Sequence, residues 1–174
     1  MAFPSMDAFT TPVGTVALDE KAIERALALP GTHISDQAHA QEHCLEVQLP
    51  FLEAVLGDFE LVPMLVGRCP PAELARVLEA LWGGEETLIV VSSDLSHYHP
   101  YEEARQIDDH TTAKIAARAT NITGEEACGA SAINGLMLVA RGLGLSVHAL
   151  DVRNSGDTAG DRNAVVGYGA YVLD

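Results

Sequence analysis

The sequence is poor in the features that mark several protein classes. Its three cysteines, Cys44, Cys69 and Cys128, form no CxxC pair, and an odd number of thiols does not build a disulfide framework. Such usage fits a reducing compartment, and a cytoplasmic protein is expected. No apolar run approaches the ~20 residues that span a bilayer, and no basic segment leading into an apolar stretch opens the chain. Basic residues are scarce: Lys+Arg number 10 against 25 Asp+Glu, a net charge of −15, so nucleic acid and anionic membrane surfaces would be repelled. Repeats, low-complexity tracts and long linkers are missing too, so residues 1–174 read as a single domain. With 48% apolar residues the chain can bury a real core.

Periodicity divides the chain into alternating strands and helices. The opening, with two prolines and short Thr/Val runs, suits loops and edge strands, after which Asp19 caps a helix whose Ala22, Ile23, Ala26 and Leu27 share a face. A helix is expected from Ala38 to Gly57, kinked at Pro50. A strand follows at 61–67, then a helix opened by Pro70 and Pro71. The run TLIVVSS (87–93) reads as an interior parallel strand, buried on both faces. Helices over 101–119 and 127–143 and strands at 146–152 and 164–173 complete the pattern, with NSGDTAGD (154–161) as a turn. In the first of these helices, Ala104, Ile107, Thr111 and Ile115 form a stripe. The expected fold is α/β with a largely parallel central sheet flanked by helices, with antiparallel pairing allowed at the end.

Open α/β sheets place ligands beyond the carboxyl ends of their strands. The segment VVSSDLSHYHPY (90–101) holds that position and carries Ser93, Asp94, Ser96, His97 and His99. An imidazole there can act as base, acid or metal ligand, with Asp94 orienting His97. Asp94 and Ser93 also suit capping of the next turn. The sequence HAQEH (39–43) has the HxxEH form, placing His39 and His43 one helical turn apart for zinc, with Glu42 beside the metal. Cys128 stands at the start of a helix, where a thiol is acidified and can serve as ligand or nucleophile; buried structural cysteines are equally common there.

Together, EHCLEVQLPFL (42–52), VSSDLSHYHPY (91–101), Asp108, CGASAINGLM (128–137) and NSGD…VVGYGAYVL (154–173) resemble the Memo family in content and order. That family includes the bacterial and archaeal AmmeMemoRadiSam system protein B. The resemblance implies a fold like that of class III extradiol dioxygenases, with a metal pocket at the strand ends. It assigns the acid/base part to His97 and a thiol ligand to Cys128. Asp94, His43, Glu46, Ser93 and Ser96 fall among the polar residues of the pocket region. Family members usually open with a further section carrying two His-containing motifs, and neither motif occurs in this sequence.

Three functions are therefore expected in order. The first is a non-haem metal site (Fe or Zn) serving dioxygenase-like or other metal-assisted chemistry on a small substrate. The second is a non-catalytic protein binding a small molecule, peptide or partner; the partner, or a second copy of the chain, would cover an exposed sheet region. The third is zinc hydrolysis through His39, Glu42 and His43. With two family histidines missing, the 174-residue chain is expected to retain no stoichiometric iron.

Overall fold

A computed structural model of the chain describes residues 1–158 and 160–174. It divides into two compact units, one of residues 1–69 and 76–92, the other of residues 70–75 and 93–174.

In the first unit, β1 (Ala2–Phe3) pairs in parallel with β4 (His33–Ile34), and β2 (Ala8–Thr10) pairs antiparallel with β3 (Thr15–Ala17). Helix α1 (Glu20–Leu27) begins as its sequence predicts: the Asp19 carboxylate accepts the Ala22 N–H at 2.9 Å, and Ala22, Ile23 and Ala26 are buried. Phe3, Val16, Leu18, Leu49 and Val77 lie in this unit's interior.

The long helix expected over 38–57 is broken. Helix α2 (Asp36–His39) ends after one turn, a series of turns follows, and α3 (Leu49–Leu56) starts afresh. Pro50 therefore begins a helix rather than kinking one, because its missing N–H costs nothing in the first turn. Gly57 closes α3 at φ 72°. Helix α4 (Pro71–Leu81) opens at its proline as expected.

The strands expected at 61–67 and 87–93 do not form ladders among the described residues. Segment 61–67 contributes two isolated bridges, Leu18 with Leu61 and Ala2 with Leu65. Residues 87–93 carry no strand, and Leu88 and Val90 are exposed. An apolar run becomes a strand only where a neighbour takes its N–H and C=O groups. Along 61–67 this happens only at Leu61 and Leu65, and no described segment pairs with 87–93 as a ladder.

The second unit carries the largest sheet. Strand β7 (Val165–Leu173) is central, flanked antiparallel by β5 (His97–His99) and β6 (Val147–Asn154). The chain is thus mixed α/β; among the described residues its parallel pairing is β1 with β4 and the single bridge of Leu18 with Leu61, and its main ladder is antiparallel. Helix α5 (Tyr101–Ala116) carries Glu102 and Glu103 in its first turn and Lys114 in its last, matching the helix dipole. Its buried stripe is Ala104, Asp108, Thr111 and Ile115, so a carboxylate takes the place expected of Ile107. Helix α6 (Ala130–Leu143) buries Ile133, Leu136, Met137 and Val139 and ends on left-handed Gly144. Asn154 caps the short 3₁₀ turn Ser155–Asp157; Ala159, within the turn expected at 154–161, lies outside the described residues. Among the described residues no helix is long and apolar enough to cross a membrane.

Candidate functional site

The segment 93–99 is held by the edge of the antiparallel sheet. Leu95 N–H donates to the Gly167 carbonyl and Gly167 N–H to the Ser96 carbonyl, each at 2.8 Å. Beyond them the register shifts between His97 and His99, and Tyr98 takes φ 61°, left-handed for a residue with a Cβ. Such a conformation costs about 1–2 kcal/mol. A bulge re-aims the side chains that flank it. Here Tyr98 is 77% exposed while the His97 and His99 rings stay half-buried.

His97 faces Asp94, with Nε2 3.5 Å from Oδ2; the two side chains are 30% and 47% exposed. Cys128 comes to the same place from 34 residues further along the chain. Its Sγ accepts the Asp94 backbone N–H at 3.3 Å and lies 3.6 Å from the Ser93 hydroxyl. One ligand atom each from Asp94, His97 and Cys128 lie within 4.8 Å of one another, and no other such group occurs among the described residues.

Two devices hold the thiol there. Ser93 Oγ donates to the Asp94 carbonyl at 2.7 Å and accepts the Gly129 N–H at 2.8 Å, latching the loop before β5 to the start of α6. The segment before Cys128 is pinned by Asn134, whose amide exchanges two hydrogen bonds with the Ile122 backbone. It is pinned again by Glu126, which accepts from Lys114 Nζ at 2.7 Å and Thr123 N–H at 2.8 Å. Burial, the strongest single influence, pushes the Glu126 carboxyl upward, but the Lys114 and Thr123 bonds together hold it below the usual carboxylate range.

The remaining candidates lie elsewhere. Ser96 is fully buried and meets the site only through its backbone, its N–H donating to Asp108 Oδ1 at 3.0 Å. It is therefore not a ligand-lining side chain. His43 and Glu46 belong to the first unit, where they pair at 2.7 Å on the surface, 74% and 65% exposed. The helical HxxEH arrangement does not form, because α2 ends at His39, whose Nε2 is 3.1 Å from the Ala2 carbonyl. Without a shared helical face, the zinc-hydrolase expectation loses its geometric basis.

Sequence reasoning met Asp108 and Asn134 only within the motifs of the family resemblance and gave them, like Glu126, no part in the site. Asp108 and Asn134 gave a signal, a polar residue on the apolar stripe of a helix; Glu126 gave none.

The donor set is chemically coherent. A thiolate, an imidazole and a carboxylate suit Zn or Fe, and tetrahedral coordination at metal–ligand distances of ~2.0–2.3 Å separates ligand atoms by roughly 3.5 Å. The Asp94–His97 spacing of 3.5 Å already meets that requirement.

The family model for Memo-like proteins matches residues 1–172. Among curated relatives, each called a MEMO1 family protein, the one from Aquifex aeolicus is 37% identical, over 94% of this chain and 66% of its own length. The Archaeoglobus fulgidus protein is 32% identical, over 97% of this chain and 69% of its own. That of Sulfolobus acidocaldarius is 30% identical, over 91% and 61%. The chain thus spans a little under two thirds to just over two thirds of the length of these relatives. With the family model matched from end to end, the chain belongs to the Memo-like protein family.

Proposed function

We propose that Asp94, His97 and Cys128 form a site for one non-haem divalent metal, Fe or Zn, serving a dioxygenase-like or other metal-assisted reaction on a small aromatic or polar substrate. One observation carries the reading: three different metal-binding side chains, up to 34 residues apart in sequence, converge within 4.8 Å. A divalent metal there would supply Lewis acidity toward a bound substrate. With Asp94 Oδ2 and His97 Nε2 facing the metal, the other ring nitrogen of His97 would be the one to take up or release a proton. Ser93 and the Asp94 N–H fix the Cys128 sulfur. Three protein donors, two of them exposed, would leave a further position on the metal open to substrate.

The test is titration with Co(II), whose thiolate absorption reports on sulfur ligation. One equivalent per chain should produce the band, and Cys128→Ser should abolish it. His97→Ala should weaken binding at least tenfold. A titration without any thiolate band would overturn the proposal.

A second reading, a non-catalytic protein that binds a partner, is supported by the first unit. Phe51 and Val55, one turn apart on α3, are 73% and 76% exposed, and Leu88 is 63% exposed. Sedimentation with and without metal separates the readings. The partner reading allows self-association that is indifferent to metal and absent in Phe51→Ser.

A further inference from the structure

Within the second unit lies a cavity of about 60 Å³. Asp108 and Asn154, 2% and 1% exposed, are its buried lining, and the exposed Arg105, Asp109, Arg153 and Asp157 line it toward solvent. Asn154 caps the turn that follows it through two of its polar groups. Its backbone N–H donates to Asp157 Oδ2 and its Oδ1 accepts the Gly156 N–H, both at 2.9 Å. Its Nδ2, however, is buried and has no hydrogen-bond partner among the described residues. A buried amide donor left unpaired costs about 1–3 kcal/mol, and native structures satisfy such groups with protein or ordered water. Asp108, on the same cavity, accepts one N–H, from Ser96, although a carboxylate has sites for about four.

We infer that this cavity is the binding site of an ordered water molecule that accepts from Asn154 Nδ2 and donates to the Asp108 carboxylate. The space admits it, since one water needs only about 10–15 Å³ open to its centre. The chemistry excludes the other small occupants. A cation would face the unpaired amide donor, and the cavity's carboxylates do not converge as a metal-type group. An anion would meet three aspartates against two arginines, one of which, Arg153, is already paired with Asp151. Only a ligand that both accepts and donates satisfies Asn154 and Asp108 together. The water ties α5 to the end of β6 and occupies the free side of the carboxylate that grips Ser96 N–H between Asp94 and His97.

A crystal structure of the full chain at high resolution tests this without reference to metal. We expect a fully occupied water at about 2.7–3.2 Å from both Asn154 Nδ2 and an Asp108 oxygen. An empty cavity, a direct bond from Nδ2 to a protein acceptor, or density that behaves as an ion would overturn the inference. In solution, oxygen-17 relaxation dispersion counts long-lived internal waters. Asn154→Leu, which fills the space with methyl groups, should lower that count by one relative to the unaltered chain; an unchanged count tells against the site. Should Asn154→Leu fail to fold, the crystal density of the unaltered chain decides the matter.

Discussion

Replacing Gly167 by alanine probes the joint that aims the candidate site. A Cβ at Gly167 would lie 2.2 Å from Asp108 Oδ2 and 2.6 Å from Oδ1. The backbone there cannot retreat, because Gly167 exchanges two 2.8 Å hydrogen bonds with Leu95 and Ser96. Asp108 must therefore move and release the Ser96 N–H. Overpacking of this kind costs about 1–3 kcal/mol. Loss of a buried hydrogen bond to a charged group adds about 1.5–3 kcal/mol. The expected destabilisation is roughly 3–6 kcal/mol, a large share of the ~5–15 kcal/mol that holds a domain together. At ~2–4 °C per kcal/mol for a chain of this size, thermal unfolding should fall by roughly 6–24 °C. Denaturant unfolding of Gly167→Ala, Asp108→Ala and the double variant checks the cause. With the carboxylate gone the clash is gone, so the double variant should match Asp108→Ala alone. Gly167→Ala within about 0.5 kcal/mol of the unaltered chain, or simple additivity in the cycle, would refute the reasoning.

Three further outcomes are expected. Cys128 is exposed while Cys44 and Cys69 are half-buried, so mass spectrometry after brief native alkylation should find Cys128 modified about tenfold faster or more; burial, then the neighbouring Glu42, also pushes the Cys44 thiol upward. Elemental analysis of freshly purified chain should find well under one metal ion per molecule, and Asp94→Asn should weaken subsequent Co(II) binding while leaving the thermal midpoint nearly unchanged. The Tyr101 hydroxyl, which donates to Asp157, holds that carboxyl below its usual range, helped by the Asn154 N–H, and Asp157 in turn raises Tyr101. A lowered acid stabilises above its ordinary range and loses that effect as pH falls through its folded value; a raised phenol loses its effect as pH climbs past the ordinary tyrosine range. The gap in thermal midpoint between the unaltered chain and Tyr101→Phe should be widest near neutrality and close on both sides. A gap independent of pH would show that packing, rather than the hydrogen bond, sets it.

Local chemistry made much of this molecule legible in advance. The Asp19 cap, the start of α4 at its prolines, the end of α3 at Gly57 and the bounds of α5 and α6 to within a few residues all follow from interactions inside a few turns of chain. The loop after position 92 stood out because His and Asp crowd together there, and the motifs spread along the chain pointed to its family. Pro50 was misplaced because one residue's helix interior is another's first turn, and periodicity alone does not say where a helix begins again. The HxxEH pattern failed for the same reason, since its spacing is meaningful only on a continuous helix that α2 does not provide.

Sequence by itself thus determined the class of the chain, most of its helices and the residue types available for chemistry, because propensity, capping and composition act over short distances. Pairing and convergence were left to the tertiary structure. Whether TLIVVSS became a strand depended on a neighbour distant in sequence, and none among the described residues took its hydrogen bonds. Whether Cys128 met His97 and Asp94 depended on the Ser93 latch and on the Lys114–Glu126 and Asn134 anchors, which join segments 12 to 36 residues apart. Asp108 shows the division most plainly. On the helix it is a polar residue at an apolar position, and only the approach of Ser96 and of a glycine at 167 turns it into the group that holds the site's loop in place.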